Sequence, residues 1–128
     1  MKIENIKFKA KNTLCGKWIK GDLVHHKDSD NVWITDYENQ LTSPVDHSTV
    51  CMFTGLTDKN GTPIYEWDIV MHKDNYTERI GYINWDSKAA AFFFRQDFLV
   101  HYHSEDMVVI GNRFDKKKYH MSLKRYKI

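Results

Sequence analysis

Short runs of strand type, separated by frequent turn signals, constrain the fold of this chain more than any other feature. The stretches "DSDN" (28–31), "KNG" (59–61) and "NWDSK" (84–88) are rich in Asp, Asn and Gly. Such residues bond their own backbone or tolerate left-handed conformations, so they mark tight turns. Between the turns lie runs that read as strands at 3–9, 17–25, 32–35, 49–53, 64–71, 79–85, 90–95, 98–103 and 107–110. In "RIGYINW", Ile80, Tyr82 and Asn84 fall on one face, and Gly81, Ile83 and Trp85 on the other. Eighteen aromatic residues against six Gly and two Pro supply side chains that suit pleated, half-buried surfaces.

The fold class expected is therefore mainly β, an SH3-like barrel or roll of short antiparallel strands. Two segments leave helix open. "SKAAAFFFRQDF" has three alanines that suit a helix, but three successive phenylalanines, 92–94, favour a strand buried on both faces. The C-terminal stretch with Tyr119, Met121, Leu123 and Tyr126 reads equally as a last strand or a short helix.

A weak internal repeat runs through this pattern. "DLVHHKD" (22–28) and "DIVMHKD" (68–74) share five of seven residues, and the similarity extends back to Gly16 and Gly61. An aspartate at a strand entrance can bind free backbone N–H groups, and the aliphatic pair after it begins a core strand. The repeat (16–28 and 61–74) is thus read as two related strand-turn units with equivalent strand starts. At 128 residues the chain fits one ordinary domain or two very small lobes, with no Pro/Ser-rich linker to divide it.

The segment "FTGLTDKNGTPIYEWDIV" (53–70) resembles the YopX family of bacteriophage and prophage proteins. Thr-Gly-Leu, Asp-Lys-Asn-Gly, an aromatic, an acid and Asp-Ile-Val stand in the family's register. "SPVDHSTVCM" (43–52), "GKWIKGDLV" (16–24), "VVIGN" (108–112) and "IKFKA" (6–10) are similar to other family segments, so the resemblance spans residues 6–112. It implies a mainly β fold of SH3-like type, encoded on mobile elements, with no catalytic residues to carry over. Two departures stand out. Where the family usually has Glu-Gly-Asp, this chain has Glu66-Trp67-Asp68, so no glycine-only backbone conformation is expected there. After Asn112 the family tends toward an acidic, Pro-containing segment, whereas "RFDKKKYHMSLKRYKI" is basic.

Charge is distributed unevenly. The net +2 combines a tail from Arg113 onward carrying +6 with 112 preceding residues carrying −4. Such a tail can fold back on the acidic body, or it can meet an acidic partner. A nucleic-acid role would rest on Arg113, Lys116, Lys117, Lys118, Lys124, Arg125 and Lys127, with Phe114, Tyr119 and Tyr126 interleaved for stacking.

The other candidate chemistry has local structural explanations. In the motif turn, Asp58, Lys59, Asn60 and Gly61 satisfy a tight turn, with Tyr65 and Asp68 following. Thr54 and Gly55 could present backbone N–H groups to an anion, so these eight residues form a candidate binding site. His25, His26 and His72 occupy related places in the repeat, and "HYH" (101–103) would put two imidazoles on one strand face. No zinc-site spacing joins them. Cys15 and Cys51 belong to no CxxC pattern, and Cys51 reads as a small buried hydrophobe. Glu66 with Asp68, and Glu105 with Asp106, read as turn and capping groups before they read as acid–base pairs.

No catalytic residue, metal site or cofactor is assigned. The expected role is a non-enzymatic accessory or binding module of a phage or prophage in the bacterial cytoplasm, contacting an unknown protein or a second copy of itself. A nucleic-acid-binding module is the alternative, and a small metal-dependent or acid–base enzyme comes third. No apolar run approaches the roughly twenty residues that span a bilayer, so no membrane role is expected.

Overall fold

A computed structural model describes residues 1–115, which form eleven β-strands and four single-turn 3-10 helices, with no α-helix among the described residues. The chain divides into two compact units at Phe53 and Thr54.

In the first unit, β1 (Phe8–Lys11), β2 (Trp18–His25), β3 (Val32–Asp36), β4 (Thr42–Val45) and the start of β5 (Cys51–Thr57) form an antiparallel sheet in the order β4-β3-β2-β1-β5. Period-two alternation sets its core. In β2, Ile19 and Gly21 are buried while Lys20 and Asp22 are exposed. Ile19 packs with Ala10, Ile34 and Val45, and Phe8, Leu23, Val32 and Val50 flank them. Gly21 has a steric reason to be glycine, because a Cβ there would run into the Thr35 carbonyl of the neighbouring strand.

In the second unit β5 continues beside β6 (Pro63–Tyr65). A second antiparallel sheet is built from β7 (Asp68–Lys73), β8 (Glu78–Asp86), β9 (Ala91–Phe94), β10 (Asp97–Phe98) and β11 (Met107–Asn112), in the order β10-β9-β8-β7-β11. The Ile69-Val70 pair serves both faces, as adjacent strand residues must. Val70 joins Ile64, Ile83, Phe94, Leu99 and Met107 in one cluster, while Ile69 packs with Ile80, Met71, Tyr82 and Ile110 in another. The alternation read in β8 is thereby realised: Ile80 and Tyr82 meet one cluster and Ile83 the other. The "NWDSK" turn joins β8 to β9, with the Asp86 carboxylate accepting from the N–H groups of Lys88 and Ala89.

The ambiguous 86–97 region resolves as turn and strand. Phe94 is fully buried, and Phe92 and Phe93 are half-buried in β9. Other expectations need correction. The run 64–71 is two strands broken by a turn at Glu66 and Trp67, and 98–103 is mostly a 3-10 turn, Leu99–His101. The pair His101 and His103 therefore does not share a strand face. Strand β4, with Pro44 inside it, went unread because proline signals a break; as the edge of its sheet, β4 tolerates one. The two repeat copies are not equivalent strand starts. Asp68 opens β7 and is 1% exposed, whereas Asp22 lies exposed in the middle of β2 opposite Thr35. The basic-tail residues Lys116, Lys117, Lys118, Tyr119, Lys124, Arg125 and Lys127, and the helix-or-strand alternative for that stretch, lie outside the described residues.

The most instructive correction is at Trp67. Its φ is +65°, in the left-handed region that glycine occupies freely and a bulky side chain does not. The turn thus takes a glycine-like backbone conformation after all, with an indole on it.

Candidate functional site

The residues singled out around "TGLTDKNGTPIYEWD" do come together, and their polar atoms turn inward to the fold. Asp58 is 5% exposed. Its Oδ1 accepts from the N–H groups of Asn60 and Thr62, each at 2.9 Å, which closes the tight turn with Gly61 at φ +80°. Its Oδ2 accepts from the N–H of Val109 on β11, also at 2.9 Å. Burial of this carboxylate opposes ionisation, but the N–H groups of Val109, Thr62 and Asn60 together outweigh it, so the group titrates below the ordinary aspartate range. Lys59 donates its N–H to the carbonyl of Met107, while its side chain is exposed.

Asp68 repeats the device one turn later. Its Oδ2 accepts from the N–H of Tyr65 at 2.8 Å, and its Oδ1 accepts from Asn112 Nδ2 at 3.0 Å. Asn112, 2% exposed, returns an acceptor to the N–H of Phe114. The pairing of β11 with β7 shifts register between Val109 and Gly111, so the two aspartates hold β11 on either side of a bulge. The separate segments "TDKNG", "EWD" and "VVIGN" are thus parts of one clasp.

At Thr54 and Gly55, the Thr54 hydroxyl donates to the carbonyl of Ile64 and accepts from the N–H of Leu56, and Gly55 has a φ of +87°. Tyr65 is 2% exposed and belongs to the core. Glu66 sits in the turn before β7, not on a strand beside Asp68.

Among the histidines, His72 is buried against Tyr102 and Phe94, with ring centroids 5.1 and 6.3 Å away, and its Nδ1 has no hydrogen-bond partner among the described residues. His25, His26, His101 and His103 are exposed. No group of three or more His, Cys, Asp or Glu among the described residues is placed to hold a metal ion. Cys51 is buried and its thiol reaches the carbonyl of Thr49, whereas Cys15 is exposed.

An open groove of about 710 Å³ lies beside the clasp, lined by Trp67, Arg79, Gly81, Tyr82, Arg95 and Tyr102. Arg113, the one basic-tail candidate among the described residues, places its guanidinium 4.4 Å from the Trp67 ring centre. Its N–H donates to the Trp67 carbonyl. Tyr82 meets the same indole edge-on at 6.1 Å. Arg79 lies 5.8 Å from the Tyr102 ring centre and pairs with Asp74 at 3.3 Å. Sequence patterns alone do not mark Trp67, Tyr82 and Arg95 as site residues. A tryptophan between two acidic residues, on a turn running into a strand, is the sequence signal that points to the groove.

These features define a mainly β protein of two antiparallel sheets in which two buried aspartates clasp the last described strand. Residues 7–118 match the family described as YopX protein, and the chain belongs to that family. No curated protein and no solved structure matches the chain. No helix among the described residues is long and apolar enough to cross a membrane.

Proposed function

We propose that this protein is a non-enzymatic, SH3-like binding module of a bacteriophage or prophage, working in the cytoplasm of the bacterial host. The observation that carries this reading is the division of labour in the second unit. The motif carboxylates Asp58 and Asp68 are tied to backbone and amide donors, which is scaffold chemistry, while the neighbouring groove presents aromatic and guanidinium side chains to solvent. Exposed aromatic and arginine side chains around a concave surface are the groups that carry binding energy.

The test is a photo-crosslinking amino acid placed at Gln96, in the groove, and at Ser87, in the β8–β9 turn, with the full chain expressed in lysogenic cells. Discrete adducts at Gln96 that are absent at Ser87 are expected, and Trp67→Gly should reduce them. Equal or absent labelling at the two positions overturns the assignment of the groove as the binding surface.

A further inference from the structure

We propose that the groove beside Trp67 binds single-stranded nucleic acid, with bases stacking on its aromatic rings and Arg95 meeting the phosphate backbone. The inference rests on the binding-module reading and names its partner.

The first observation is conformational. Five non-glycine residues among those described have positive φ, and two of them, Trp67 (+65°) and Arg95 (+61°), line this groove. Both positions lie in two-residue turns, Arg95 between β9 and β10 and Trp67 before β7, yet neither tryptophan nor arginine favours a left-handed backbone as the aspartate at position 28 does. The strain at both positions presents a large side chain to the groove, and backbone strain of this kind gathers at ligand sites.

The second observation is the kind of side chain presented. Trp67, Tyr82 and Tyr102 supply ring surface, and all three remain partly exposed. Gly81 allows the Arg95 chain to lie across β8: a Cβ at Gly81 would sit 2.5 Å from Arg95 Cγ. The Arg113 guanidinium covers the Trp67 ring and adds positive charge next to the groove.

The third is charge. Two acidic residues, Glu78 and Asp97, also line the groove. Asp97 is engaged by His101 Nδ1 at 2.8 Å and by the N–H of Phe98, and Arg79 is paired with Asp74. Arg95 has no carboxylate within ion-pair distance among the described residues, which leaves it available to an anion. Rings next to an available guanidinium complement unpaired bases joined by phosphates. A duplex, whose base faces are already stacked, would gain only the charge term.

The experiment is fluorescence anisotropy with labelled oligo-dT, oligo-U and a short DNA duplex at about 50 and 200 mM salt, using the full-length protein. Trp67→Gly suits the left-handed backbone, and Arg95→Asn suits it better than most residues, so both variants should fold; circular dichroism verifies this. The expected result is preference for the single strands, weaker binding at the higher salt, and a loss of about 10-fold for each variant, within the range known for one stacked base or one phosphate contact. A third protein carrying Lys116→Gln, Lys117→Gln and Lys118→Gln should keep most of the binding. No binding at low salt, binding indifferent to Trp67→Gly and Arg95→Asn, or binding abolished only by the lysine changes would each overturn the proposal. Groove-specific crosslinks to a protein, found alongside a negative oligonucleotide result, would overturn this inference and leave the binding-module reading standing. Absence of groove-specific adducts would count against that reading itself.

Discussion

Replacing Asp58 by asparagine exchanges one carboxylate oxygen for an amide NH2 group, and the structure indicates the cost. The Asp58 Oδ1 position can remain an acceptor for the N–H groups of Asn60 and Thr62, but the amide nitrogen would then face the N–H of Val109, donor against donor. One charge-assisted bond, worth about 1.5–3 kcal/mol, is lost, and the two that remain are weakened to neutral strength. Asn60 and Thr62 are exposed, so water can compensate their N–H groups; Val109 is half-buried, and its N–H is compensated less. The expected loss at neutral pH is about 2–3 kcal/mol in urea unfolding, a large share of a small unit's stability. The pH dependence supplies the sharper check. Because the folded-state pKa of Asp58 lies below its unfolded value, the folded protein binds fewer protons, and the stabilisation is complete above the unfolded value near pH 4. It fades as pH falls through the lower, folded value. The gap between wild type and Asp58→Asn should therefore be widest at pH 6–7 and narrow progressively below about pH 4. A gap under about 0.5 kcal/mol at neutral pH, or one that does not narrow in acid, would refute the clasp as described.

Three further outcomes follow from single contacts. Trp67→Gly should leave the protein more stable than Trp67→Ala by about 1 kcal/mol in urea unfolding, because both lose the Arg113 and Tyr82 contacts but only alanine retains the left-handed strain; equal stabilities would argue against the positive φ. Gly21→Ala should destabilise the first unit by about 2 kcal/mol or more, since the clash is with strand backbone, and thermal unfolding that is unchanged would contradict the close approach of β2 and β3. Asn112→Ala removes a donor to buried Asp68 and the acceptor for the Phe114 N–H, and should cost about 2 kcal/mol together with faster amide exchange in β11; exchange that stays slow there would contradict the second half of the clasp.

The parts of the fold legible in the sequence were those governed by local alternation. β2, β3, β8 and β9 follow from period-two patterning and turn chemistry, which act over a few residues. What escaped was decided at a distance. Pro44 lies in a strand because β4 is an edge, and adjacency in the sheet is invisible in the string of residues. The repeat misled for the same reason: Asp22 and Asp68 sit in nearly identical heptapeptides, yet Asp68 alone finds a buried amide donor, Asn112, which lies 44 residues away. The local grounds for a tight turn at 58–61 hold. The bond from Asp58 to Val109, 51 residues on, shows that the turn also anchors a strand.

Trp67 joins the two halves of this picture. Its carbonyl accepts from the N–H of Arg113 and its own N–H donates to the carbonyl of Ile83, so the backbone of the turn is fixed from both sides regardless of side chain. With φ held at +65° by those bonds and by Asp68 next to it, the turn can carry a residue that would not choose this conformation on its own. The clasp thus determines where the indole sits, and the indole in turn gives the Arg113 guanidinium a surface to cover. A side chain presented in this way needs little ordering when a ligand arrives, because its backbone is already held and its ring already has neighbours. The same buried aspartates that contribute no surface for binding therefore govern the geometry of the groove, and loosening them should widen the range of Trp67 positions before it unfolds the sheet.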